Sequence, residues 1–97
     1  MKKKLLKHKG GFKREDKSHK LDFTLIPIPV LKRLAKHYTD GAVVHGKNNW
    51  MKSKDLQTFK ESAYRHMIQW QNGELDEDHA MSLCWNVFCY EFLDKHK

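Results

Sequence analysis

Residues 56–93 read LQTFKESAYRHMIQWQNGELDEDHAMSLCWNVFCYEFL, and this stretch decides the fold. In its first half Leu56, Phe59, Ala63, Met67 and Trp70 recur at steps of three and four, the period of an α-helix with one continuous apolar face. Asn72-Gly73 supplies the stop, because glycine takes the left-handed conformation that ends many helices without a Cβ penalty. The second half opens on Glu74, Asp76, Glu77 and Asp78, whose charge is favoured at a helix N-terminus. Ala80, Leu83, Cys84, Val87, Phe88 and Phe92 then form the expected buried stripe of a further helix. Two helices joined by an acidic turn follow from this spacing.

Working upstream, Ser53-Lys54-Asp55 is the expected N-cap region of the first of these helices. Gly46-Lys47-Asn48-Asn49 reads as a turn, with Trp50 anchoring the loop. Before it, Val30, Leu31, Leu34, Ala35 and Tyr38 keep a helical period that Ala42 and Val43 continue past Gly41. Pro29 suits the first turn of that helix, where its fixed φ helps and its missing N–H costs nothing. Leu21 to Ile26 is expected to be extended, because Pro27 keeps the residue before it out of the α region. The predicted class is all-α: a small bundle of three main helices over residues 21–97, preceded by a flexible basic tail over residues 1–20.

The 97 residues allow one small domain, and 39% hydrophobic with 11% aromatic residues suffice for a core. The net charge of +7 is localised. Residues 1–20 hold nine Lys/Arg against two acids, 9 − 2 = +7, while residues 21–97 hold ten of each. The basic excess therefore says nothing about the body; the tail is either a solvated leader or an arm for nucleic acid. Cys84 and Cys89, five apart in an apolar stretch, form neither a disulfide framework nor a CxxC pair, which fits a reducing cytoplasm. No apolar run approaches the ~20 residues of a membrane span, and the basic start lacks a signal peptide's apolar core. Because 77 body residues with a broad apolar face bury little surface alone, a homo-oligomer, in the first place a dimer, is expected.

Chemistry is sought where polar residues interrupt apolar helices. His79, Ser82 and Asn86 form one polar line on the last helix, and Ser62, His66 and Gln69 share a face of the preceding one, flanked by Glu61 and Arg65. Polar groups near a helix interface need partners, so His66, His79 and Asn86 are expected to converge, as a ligand site or as a buried hydrogen-bond network. Glu74, Asp76, Glu77 and Asp78 offer oxygen ligands for Mg²⁺ or Mn²⁺, or they cap the last helix. His45 is a ligand, a base or a loop residue. Zinc is disfavoured, since His79 has no second His or Cys at helical spacing. No glycine-rich phosphate loop and no nucleophilic Ser or Cys with a base nearby is evident.

Three separated stretches resemble a known family. Leu21-Asp22-Phe23-Thr24-Leu25-Ile26-Pro27 resembles its D-x-x-LIP opening, and Gly41-Ala42-Val43-Val44-His45-Gly46-Lys47-Asn48-Asn49-Trp50 its GAxKHGxxNW segment. Ala63-Tyr64-Arg65-His66, Gly73-Glu74, Asp76-Glu77-Asp78-His79 and Trp85-Asn86 are similar to its AxxRH…GE…DEDH…WN signature, in matching order. The family is the phage-type dATP/dGTP diphosphohydrolase N-terminal domain, near the MazG-like nucleotide pyrophosphohydrolases. The resemblance implies a phage-encoded helical domain that uses a divalent ion to cleave a purine deoxynucleoside triphosphate to monophosphate and pyrophosphate. It implies catalytic roles for His66 and His79, metal roles for Glu74, Asp76, Glu77 and Asp78, and substrate contacts from His45, Asn49, Trp50, Arg65 and Asn86. The competing expectation is a non-catalytic phage protein that engages nucleic acid or a host protein through its tail and helical body.

Overall fold

The computed structural model describes residues 20–95, so the flexible tail expected over residues 1–20 lies, apart from Lys20, outside the described residues. Three α-helices follow one another: α1 over Ile28–His45, α2 over Gln57–Gln71 and α3 over His79–Lys95. Among the described residues there is no strand, and the all-α expectation holds. α3 is the central element: α2 packs along most of its length and α1 crosses a second side.

Each boundary has a local cause. Pro27 caps α1 through its carbonyl, which accepts from the N–H groups of Val30 and Leu31 at 3.1 and 3.0 Å, and Pro29 sits in the first turn as expected. The helix runs past Gly41 to His45. Gly46, at φ 100°, donates its N–H back to Ala42 and ends it. A 3₁₀ turn over Asn49–Lys52 follows. α2 ends in a Schellman arrangement: Gly73 takes φ 72°, its N–H donates to Trp70, and the Glu74 N–H donates to Gln69. At the start of α3 the Asp78 carboxylate accepts from the Met81 N–H at 3.3 Å, a side-chain cap.

Two local expectations are corrected. Leu21 to Ile26 is not extended throughout; Phe23–Leu25 form a 3₁₀ turn, because the Asp22 carboxylate accepts from the Thr24 N–H and hydroxyl. Asp22 and Ile26, on either side of that turn, are extended, Ile26 at φ −82° and ψ 125° directly before Pro27. The N-cap expected at Ser53–Asp55 makes no side-chain bond; α2 starts later, with the Asp55 and Leu56 carbonyls accepting from Thr58 and Phe59.

The largest correction concerns α3. Its inward line is His79, Ser82, Asn86, Cys89 and Leu93, whereas Val87, Phe88 and Phe92 are exposed and Ala80, Leu83 and Cys84 are half-buried. The face expected to be merely polar is the buried one. Its lower half joins Phe59 in the core, ringed by Tyr38, Trp50, Leu56, Trp85 and Tyr90. Trp85 meets Tyr38 and Phe59 with ring centroids 6.1 and 5.9 Å away, and Trp50 meets Phe92 edge-on at 5.7 Å. On α2 the apolar face is as expected from Leu56 to Met67, but Trp70 is half-exposed.

Candidate functional site

α2 and α3 are antiparallel, so the C-terminal half of one lies beside the N-terminal half of the other. This brings together His66 and His79, whose Nδ1 atoms are 2.9 Å apart. On the far side of the His79 ring, Nε2 lies 2.7 Å from Asp76 Oδ1. The bond from His79 holds the Asp76 carboxyl below the usual range, so it is ionised and accepts. With both rings neutral, His79 donates Nε2–H to Asp76, its bare Nδ1 accepts, and His66 donates Nδ1–H to it. His66 Nε2 is left as a lone pair. Burial keeps the His66 imidazole neutral by lowering its pKa, with Glu77 opposing.

The ring centroids of the pair are 5.1 Å apart at that Nδ1 separation. The rings therefore point almost straight at each other, the alignment of a shared proton rather than of two ligands converging on an ion. Glu77 Oε2 stands 3.9 Å from His66 Nδ1 and 3.8 Å from His79 Nδ1. The ligand atoms of Glu74, Asp76 and His79 also lie within 4.8 Å of one another. Glu74, Asp76 and Glu77 are exposed carboxylates, the donor chemistry of Mg²⁺ or Mn²⁺ with waters retained, and in that respect they fit such an ion.

The remaining residues singled out from sequence divide. Asp78 is committed elsewhere: Arg33 of α1 donates to it from Nε and from an Nη at 3.0 and 2.8 Å, and it caps α3. This charge-assisted pair holds its carboxyl below the usual range. Glu74 accepts from Gln69 and Asn72 at the end of α2. Asn86 is buried but donates to the Ser82 carbonyl of its own helix at 2.8 Å, so the convergence joins His66 to His79 and leaves Asn86 out. Arg65 is exposed and donates to Ser62 at 3.3 Å.

His45, Asn49 and Trp50 come together instead at a cavity of about 440 Å³ between α1, the following turn and α3, with Tyr38 and Trp85 among its walls. A second cavity of about 570 Å³ lies between α1 and α3, where Arg33 and Lys36 are ion-paired with Asp78 and Asp40 beside His37, Glu77 and Ser82. The two share Gly41, His45 and Trp85. The histidine pair lines neither, and Glu77 is its link to the second. Sequence reasoning passed over Arg33, Lys36 and His37, although their i, i+3, i+4 spacing places two cations and an imidazole on one face of α1.

No curated protein and no solved structure matches the chain. The family model for the dATP/dGTP diphosphohydrolase N-terminal domain matches residues 11–97, which takes in all three helices, the imidazole pair and both cavities. This chain belongs to the dATP/dGTP diphosphohydrolase N-terminal domain family.

Proposed function

We propose that this domain is a divalent-metal-dependent nucleotide pyrophosphohydrolase, phage-encoded and working in the host cytoplasm as a homo-oligomer. Its substrate is a purine deoxynucleoside triphosphate and its products are the monophosphate and pyrophosphate. Family membership supports the substrate class. The observation that carries the reading is the hydrogen-bonded chain Asp76–His79–His66, with only His79 fully buried, linked through Glu77 to a groove that Lys36 and His37 share with Asp40 and Asp78.

In this reading Asp76 fixes the His79 tautomer, His79 orients His66, and the free His66 Nε2 takes a proton from water as the water oxygen bonds to the α-phosphorus. The α–β bridging P–O bond breaks and pyrophosphate leaves. Lys36, exchanging its exposed partner Asp40 for phosphate, offsets the charge on the phosphate oxygens, and the His37 ring offers them an N–H. A divalent ion held by Glu74 and Asp76, whose ligand atoms lie within 4.8 Å of one another, would add further neutralisation. The exposed Val87 and Phe88, adjacent on α3, are apolar surface that a second copy would cover.

Pyrophosphate release from dATP and dGTP with Mg²⁺ or Mn²⁺ tests this. Turnover should stop with EDTA, and His66→Gln or Glu77→Gln should each lose on the order of 100-fold or more while helical circular dichroism is unchanged. No release from either nucleotide would leave the non-catalytic binding protein in its place.

A further inference from the structure

Residues 21–28 take no part in the site described above, yet Leu21, Phe23, Leu25, Ile26 and Ile28 leave between 46% and 80% of their surface exposed. Single apolar residues on a surface are ordinary, but five within eight positions mark an interaction site. This arm is also built in advance. The Asp22 carboxylate fixes the 3₁₀ turn of Phe23–Leu25, and Pro27 and Pro29 fix the direction in which the chain enters α1, so little conformational freedom is lost on docking. A hollow of about 580 Å³ opens elsewhere on the body, walled by Tyr38, Met51, Phe88 and Phe92 around Trp50. Phe92 stacks edge-on against Trp50 there, and Glu91 is the charged residue of the lining. The arm does not reach the hollow of its own copy. Tyr38 stands ten residues along α1 from Ile28, roughly 15 Å, and an arm folded into a 3₁₀ turn is too short to double back that far.

We propose that the protein dimerises by exchanging arms, residues 21–28 of each copy lying in the Trp50 and Phe88 hollow of the other, with Phe23 as the inserted ring. The exchange is isologous, so one kind of contact is made twice. Arm and hollow together expose eight large apolar side chains at roughly 100 Å² each, about 800 Å² per copy, which is what a stable interface requires of each partner. The bodies do not repel each other, because residues 21–97 carry ten basic and ten acidic residues. The proposal takes from the function proposed above only its homo-oligomer and assigns the surfaces that form it.

Sedimentation equilibrium of the full chain, of Phe23→Asp, of Phe88→Asp and of an equimolar mixture of the two variants tests this. Wild type should sediment at twice its 11.6 kDa at micromolar concentration. Each variant should dissociate on the order of 100-fold more readily, with helical circular dichroism unchanged because both side chains are exposed in the single copy. The mixture should recover dimer at concentrations where each variant alone is monomeric, because an intact arm from one meets an intact hollow on the other and a contact already lost is not lost twice. A Phe23→Asp that dimerises like wild type overturns the exchange and leaves a homo-oligomer formed by other surfaces, as does a mixture that recovers nothing. A monomeric wild type, the result if residues 1–20 fill the hollow instead, overturns both the exchange and the homo-oligomer, while pyrophosphate release still decides the activity.

Discussion

The two ends of the α2–α3 interface are built from opposite chemistry on one helical register. Phe59 and His66 are seven residues apart on α2, as are His79, Asn86 and Leu93 on α3, so all five lie on the facing lines. At one end Phe59, Cys89 and Leu93 close on each other inside a ring of aromatics. At the other, His66 and His79 meet through one hydrogen bond. The aromatic end is held by area removed from water, which is non-directional and tolerates small shifts. The imidazole end is held by a bond whose geometry is narrow, and whose loss would leave a buried polar group exposed to no water. Stability is concentrated at the first end and positional definition at the second. A bundle this small keeps a polar pair inside because the aromatic end anchors the same two helices two turns away.

The sharpest way to break that contrast is Phe59→Ala. It should cost about 3–5 kcal/mol, most of what a domain of this size has, and urea denaturation should show it. A loss below about 1 kcal/mol would mean that the aromatic end does not hold the helices together. His66→Ala, His79→Ala and the double variant come next. Each single change should cost about 1–3 kcal/mol, and the double should cost less than their sum, since either one already abolishes the shared bond. Strict additivity would show that the rings are not coupled.

Asp78→Ala should cost about 0.5–2 kcal/mol through the lost cap of α3 and leave the turnover of bound substrate unchanged. An Asp78 that was a metal ligand would instead abolish turnover at little cost in stability. Smallest is the pH effect. Burial lowers the His66 pKa in the folded protein, so below the unfolded value of about 6.5 the unfolded chain takes up a proton that the folded chain refuses. Stability should therefore fall as pH drops below about 6.5 and level off below the folded pKa. The slope should be absent from His66→Gln in melting curves taken between pH 5 and 7.

Much of this was legible in the chain. The helix periods, the proline start of α1, the Gly73 stop and the expected meeting of His66 with His79 all depend on spacing along one element or on polar lines that need partners. What the spacing misplaced has a common cause. On α3, apolar residues occupy nearly every position from Ala80 to Leu93, so hydrophobicity does not say which face turns inward, and the expected stripe through Val87 and Phe88 lies on the exposed side. For the acids, charge at a helix N-terminus fits capping and ligation equally. Only the position of Arg33, forty-five residues away, separates Asp78 from Glu77.

By itself, then, the sequence determined what is local: three helices and their ends, because backbone capping and period act within a few residues. Tertiary structure decided which face of α3 is buried, which acid serves α1 and which lies beside the histidines, and that Gly41, His45 and Trp85 border two cavities at once. Those outcomes depend on how α1 and α2 compete for the sides of one uniformly apolar helix. Distances between separate helices are set by packing, which no periodicity along a single chain segment encodes.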